Sequence, residues 1–178
     1  MLKTYLLSVL FFFAMADPLT IYDFTSDSSP NEWRVVDDGV MGGRSDGNFY
    51  INEEGHGVFT GKVSLENNGG FSSIRHRFKT VNTEGYEQVS IRLRGDGKRY
   101  QFRVKSRSSD YYSYITYFET SGEWQTVELE LSEMYATFRG MRLDLPNYPD
   151  SSMEEISFLI GNKKAEEFKL LIDKIELK

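Results

Sequence analysis

The stretch that decides the fold is Gln88-Val-Ser-Ile-Arg-Leu-Arg94-Gly95-Asp96-Gly97-Lys98-Arg99-Tyr100-Gln-Phe-Arg-Val-Lys105. In its first half Val89, Ile91 and Leu93 alternate with Ser90, Arg92 and Arg94. In its second half Tyr100, Phe102 and Val104 alternate with Gln101, Arg103 and Lys105. A period of two is the spacing of a strand with one face buried and one face wet, because successive side chains leave a strand on opposite sides. Asp96-Gly97 tolerates the positive φ of a tight turn. Residues 88–105 are therefore expected to form a hairpin, with Arg92, Arg94, Arg103 and Lys105 on its polar face.

Working outward, short alternating or apolar runs recur at 19–24, 33–36, 48–51, 58–65, 71–78, 113–119, 125–131, 156–160 and 168–177. The last run changes phase. Phe168, Leu170 and Ile172 share one side, and Ile175 and Leu177 resume it after a one-residue slip, which predicts a β-bulge near Asp173. No segment sustains a helical period over three turns; Ser151 with Glu154, or Ser152 with Glu155, predicts a capping box for a single turn. About ten short strands with frequent turn signals make an all-β sandwich or jelly roll.

The chain has 178 residues and a net charge of −6, which speaks against general nucleic-acid binding. It has no cysteine, so neither disulfides nor thiolate chemistry contributes. Residues 1–16 read as a secretory signal peptide: Lys3 supplies the positive start, residues 6–13 are apolar except for Ser8, and Ala14-Met15-Ala16 fits a small-x-small cleavage site. The apolar run is shorter than the ~20 residues of a membrane span. The expectation is an exported bacterial protein, periplasmic or secreted, with residues 17–178 forming one domain and no membrane span after cleavage.

Two regions stand out as candidate binding surfaces. The first is the glycine-rich cluster 37–47, in which Asp38, Met41, Gly42, Gly43 and Ser45 are the candidate residues. Its glycines predict unusual dihedrals, with a left-handed position assigned to Gly43. Gly43-Arg44-Ser45-Asp46-Gly47 also spells the G-x-S-x-G nucleophile elbow, but the motif needs a helix behind it and residues 48–51 read as strand. Asp37, Asp38 and Asp46 are oxygen donors of the kind Ca²⁺ takes, without an EF-hand pattern; no metal is assigned. The second region is basic. Ten of the 21 Lys and Arg residues lie between Arg75 and Arg107, opposed only by Glu84, Glu87 and Asp96. Arg75, Arg92, Arg94 and Arg103 form the expected stripe, and Tyr112 and Tyr114 from the tyrosine-rich stretch behind it are the expected exposed aromatics. Arg beside Tyr suits a protein partner, and Tyr and Trp33 suit stacking on sugars.

Taken together, Trp33, Asp38-Gly39-Val40-Met41-Gly42-Gly43, Ser45, Phe59-Thr60-Gly61, Asn68-Gly69-Gly70-Phe71-Ser72-Ser73-Ile74-Arg75, Arg94-Gly95-Asp96-Gly97 with Tyr100, Trp124 and Phe138-Arg139-Gly140 give the chain a resemblance. It resembles the complex I intermediate-associated proteins, the assembly-factor domain of NADH:ubiquinone oxidoreductase. The resemblance implies a galactose-binding-domain-like jelly roll and a non-catalytic assembly or chaperone role toward partly built membrane complexes. It implies no nucleotide cofactor, since no G-x-G-x-x-G follows a strand. The export signal departs from the family's mitochondrial setting, so the partner does not carry over directly. A protein partner is the first expectation, a cell-envelope carbohydrate the alternative, and no cofactor is expected.

Overall fold

Alternating β-branched and aromatic residues separated by glycine-bearing turns leave little choice but short strands. The computed structural model describes residues 17–149 and 151–178, and the segment read as a signal peptide lies outside them. Among the described residues there are thirteen strands, four 3₁₀ turns and no α-helix. The strands are β1 (Leu19–Asp23), β2 (Trp33–Asp37), β3 (Asp46–Ile51), β4 (Gly57–Val63), β5 (Ser72–Asn82), β6 (Gln88–Arg94) and β7 (Arg99–Lys105). They continue with β8 (Ser113–Glu119), β9 (Trp124–Glu130), β10 (Tyr135–Phe138), β11 (Met141–Arg142), β12 (Ser152–Ile160) and β13 (Glu166–Leu177).

They form two antiparallel sheets. A six-stranded sheet runs β3-β4-β13-β6-β9, with β1 beside the second half of β13. A seven-stranded sheet runs β11-β10-β8-β7-β12-β5-β2. The inner faces meet in one core, where Phe59, Ile91 and Leu93 of the first sheet and Ile74, Phe102 and Phe158 of the second are fully buried. Each such side chain contributes roughly 1.5–3 kcal/mol of transfer free energy. The predicted bulge is present: the pairing of β13 with β6 slips between Ile172 and Lys174, and the freed Asp173 carbonyl accepts from the Phe24 N–H at 2.9 Å.

Two expectations are corrected. The segment 88–105 is not a hairpin, because β6 and β7 lie in different sheets. β6 pairs with β13 and β9, while β7 pairs with β12 and β8. The chain crosses between the sheets at 95–98, and Asp96 pins the crossing. Its carboxylate accepts from Lys98 Nζ (2.7 Å), the Tyr100 hydroxyl (3.0 Å) and the Lys169 N–H (3.0 Å). Thr120 Oγ1 accepts from the N–H groups of Gly97 and Lys98 at 3.1 and 3.0 Å. The single helical turn at 151–155 is likewise absent. From Ser152 on those residues enter β12, an interior strand of its sheet, where β5 pairs with Ser152, Met153 and Glu155 and β7 pairs with Glu155, taking backbone groups that a helix would have used.

Candidate functional site

The glycine-rich cluster folds around Asp38. Asp38 is 6% exposed and accepts four hydrogen bonds: Ser45 Oγ (2.5 Å), and the N–H groups of Gly70 (2.6 Å), Ser45 (3.1 Å) and Phe71 (3.3 Å). Burial alone would raise its pKa; the Ser45 and backbone donors reverse that and hold the carboxyl below its ordinary value. Asp37 accepts from Ser72 Oγ at 2.5 Å and from the Gly47 N–H at 3.1 Å. The two aspartates thus tie the loop to β3 and to the start of β5, and their oxygens are turned inward to protein donors. Ser45 Oγ also accepts from the Ser64 N–H at 3.0 Å, and β3 follows it directly. The left-handed residue is Gly42 (φ 86°), not Gly43. Gly43 is required for another reason, since a Cβ there would collide with the Asp38 carboxylate. The side chain of Met41 lies outside the described residues.

The outer face of the seven-stranded sheet is different. Outward residues on neighbouring strands stand in rows, and one row reads Arg34, Arg75, Ser157, Arg103, Ile115, Tyr135 across six strands. The adjoining row reads Val36, Ser73, Leu159, Gln101, Tyr117. Several of these residues are buried although they face away from the core: Ser73, Ile115, Ser157 and Leu159 are all under 9% exposed. They form the floor of a trough whose walls are long side chains, with Arg34 and Arg77 on one side and Tyr117 and Arg142 on the other. At the β2–β5 end the trough opens into a recess of about 380 Å³ lined by Asn31, Glu32, Arg34, Val36, Arg75 and Arg77.

The trough is cationic and its central charges are unpaired. Its floor carboxylate, Glu155, is taken by Arg77, whose Nε donates to it at 2.6 Å. Among the described residues no carboxylate lies within ion-pair distance of Arg75 or Arg103, and Arg103 makes only a long 3.4 Å contact with the amide of Gln101. Burial lowers the pKa of Arg75; Glu155 opposes the shift, and Arg77 and Arg34 reinforce it. Arg103 is pulled down to about 10, by burial first and by the Arg75 charge second. Lys105 is also lowered, again mainly by burial. At the opposite wall Arg99 lies over the Tyr117 ring at 4.6 Å and Arg142 over the Tyr135 ring at 4.5 Å.

The structure divides the residues expected to act together. Arg75 and Arg103 share the trough. Arg92 and Arg94 are on the outer face of the other sheet, where both guanidinium groups stand 5.6 Å from the Trp124 ring. The continuous basic stripe is therefore corrected to two separate surfaces, a consequence of the chain crossing at 95–98. Tyr114 is also corrected. It points inward, 6% exposed, against Tyr148 and Tyr112, and Tyr112 itself is packed on the core. Trp33, considered as a sugar platform, is buried between Phe24 and His76. The exposed tyrosine of the 111–117 stretch that reaches the trough is Tyr117, joined by Tyr135, Arg34, Gln101 and Leu159, which the sequence did not single out. The signal for them was the alternation itself, since each sits opposite a core residue on its strand. Among the described residues no group of three or more His, Asp or Glu side chains is placed to hold a metal.

A sequence model of the family Complex I intermediate-associated protein 30 (CIA30) matches residues 22–172. Among solved structures the chain is similar to a family 11 carbohydrate-binding module from Clostridium thermocellum, seen in complex with a β-1,3-1,4-mixed-linked tetrasaccharide. Identity is 13% and the TM-score 0.65, over 90% of this chain and 94% of that one. It is also similar to an agarase (12% identity, TM-score 0.60), covering 90% of this chain and 24% of the agarase. A family 29 carbohydrate-binding module gives 13% identity and a TM-score of 0.53 over 92% of both chains. The two-sheet sandwich is accordingly a galactose-binding-domain-like jelly roll: the strand pattern led one to expect the sandwich, and the family resemblance implied its kind.

Proposed function

From the premise that this chain belongs to the Complex I intermediate-associated protein 30 family, we propose that it is a non-catalytic protein-binding module with an assembly-factor or chaperone-like role, and that the trough of the seven-stranded sheet is its working face. The observation that carries the reading is the pair Arg75 and Arg103. Holding two guanidinium groups half-desolvated and near one another, with no carboxylate at contact distance and with the nearby Glu155 bonded to Arg77, costs free energy that folding alone does not recover. A partner that brings acceptors into the trough recovers it. Arg and Tyr together, over a floor of Leu159 and Ile115, have the make-up of an interface hot spot. The export reading of residues 1–16 is part of this proposal and assigns the encounter to the periplasm or the exterior.

A carbohydrate ligand is the second reading, and the fold shared with carbohydrate-binding modules fits it. Against it stands the state of the aromatic rings: Tyr117 and Tyr135 each already hold a guanidinium over the ring, which competes with the stacking of a sugar. A photo-reactive residue in place of Tyr117 tests the proposal, with the same residue at Thr126 on the opposite sheet as control. A defined protein adduct from Tyr117 and none from Thr126 supports it. A glycan-array hit with no protein adduct at Tyr117 replaces it with the carbohydrate reading.

A further inference from the structure

We infer that the trough receives an acidic segment of its protein partner, an extended stretch presenting carboxylates beside apolar side chains, with Arg75 and Arg103 as the groups that hold the carboxylates. The inference rests on the trough being the working face and goes beyond it by naming the chemistry of the occupant. The charge distribution is the first reason. A chain of net charge −6 concentrates Arg34, Arg75, Arg77, Arg103 and Lys105 on one outward face, where Glu155 is already bound by Arg77. Guanidinium is the group that holds a carboxylate through two parallel hydrogen bonds, and partial desolvation strengthens those bonds.

Spacing is the second reason. Arg75 and Arg77 are alternate residues of β5, so they repeat at roughly 6.5–7 Å. An extended peptide laid along β5 repeats its own same-side side chains at that distance. Arg75 and Arg103 stand two strands apart, roughly 10 Å, and Ser157 lies between them on the floor, so a carboxylate on either side of the peptide meets a cation. The third reason separates a peptide from an acidic polysaccharide. Leu159 and Ile115 offer buried apolar floor for side chains, whereas the Tyr117 and Tyr135 rings each already hold a guanidinium, of Arg99 and Arg142, over the ring.

The test uses the full chain and a short fluorescein-labelled peptide of alternating Glu and Leu, with the Gln/Leu peptide and polygalacturonate as comparisons. Binding is followed by anisotropy. The Glu peptide should bind, and the Gln peptide should not. Arg75→Gln with Arg103→Gln should weaken binding about tenfold or more, and Arg92→Gln with Arg94→Gln should leave it unchanged. Arg75→Lys with Arg103→Lys keeps the charge and loses the fork, so an intermediate loss is expected. Raising the salt should weaken binding as the screening length shortens from about 10 Å at 0.1 M to about 3 Å at 1 M. Equal binding of the two peptides, equal binding by the Gln variant, or binding of polygalacturonate alone overturns the inference. If the Glu peptide fails while the Tyr117 adduct persists, the acidic occupant is lost and the working face is kept. If both fail, both are lost.

Discussion

The Asp38 loop and the trough each hold charged side chains out of water, and they settle those charges in opposite ways. Asp38 accepts from four donors within its own chain, and its carboxyl sits below its ordinary pKa. Arg75 and Arg103 face one another across Ser157 with no carboxylate of their own, and both sit below theirs. A lowered pKa stabilises the charged form of an acid and destabilises that of a base. The fold therefore favours the charge at Asp38 and opposes it at the two arginines. Internal satisfaction is the mark of architecture, and charge left unanswered is the mark of a surface that something else completes.

The largest effect is expected from Asp38→Ala. It leaves the N–H groups of Ser45, Gly70 and Phe71 without an acceptor in a part-buried site, a loss of roughly 3–5 kcal/mol. A domain of this size should melt about 10 °C lower. Trough binding should persist in the folded fraction, and its disappearance at temperatures where the variant is folded would break the comparison. The pH dependence has a definite sign. A carboxylate whose folded pKa is lowered contributes stability that is present above its unfolded pKa and is lost as pH falls through the folded value. Asp38→Asn should therefore flatten the acid limb of the stability profile below the ordinary carboxylate range, as followed by urea unfolding.

A smaller loss is expected from Gly43→Val, roughly 1–3 kcal/mol from overpacking against Asp38. The sequence assigned the strain to the dihedrals of Gly43, whereas the structure gives the left-handed backbone to Gly42 and the close approach to Gly43. The two explanations separate in Gly43→Ala. Close approach makes Ala nearly as damaging as Val, because the Cβ is itself the obstacle. A Gly43→Ala chain that melts like the parent would return the cause to side-chain bulk.

The same contrast shows what was legible in the sequence. Val89, Ile91 and Leu93, or Phe168 to Leu177 with its slip, announce strands and even a bulge, because alternation and phase are local properties. Partner choice is not local. An Asp-Gly turn between two alternating runs reads as a hairpin, yet here the run from Gln88 finds β13 and β9, and the run from Arg99 finds β12 and β8. Alternation says that Arg94 and Arg103 both point outward; it does not say that they leave the molecule on opposite sides. Tyr114 and Tyr117 differ by an odd step along β8 and so cannot share a face, but which of them faces the core depends on Val104 and Ala136 beside Tyr114. The trough was the least legible feature, since burial of Ser157 and Leu159 on an outward face is produced by neighbours from distant parts of the chain.

The smallest expected effect has the opposite sign and sharpens the comparison most. Arg75→Gln with Arg103→Gln removes two charges that the fold holds near one another at a cost, and a neutral side chain of similar length still covers the floor. The melting temperature should stay level or rise by roughly 1–3 °C. The sign follows from the lowered pKa. A base whose folded pKa falls below its unfolded value costs stability wherever both states are protonated, and that cost fades only as pH rises through the folded value. For Arg103 that value is about 10, so a melt at neutral pH reads the whole effect. A fall in melting temperature comparable with that of Asp38→Ala would make the arginines part of the architecture. A level or higher melt together with lost peptide binding is the signature of side chains kept for a partner, because stability and binding then move in opposite directions in one variant.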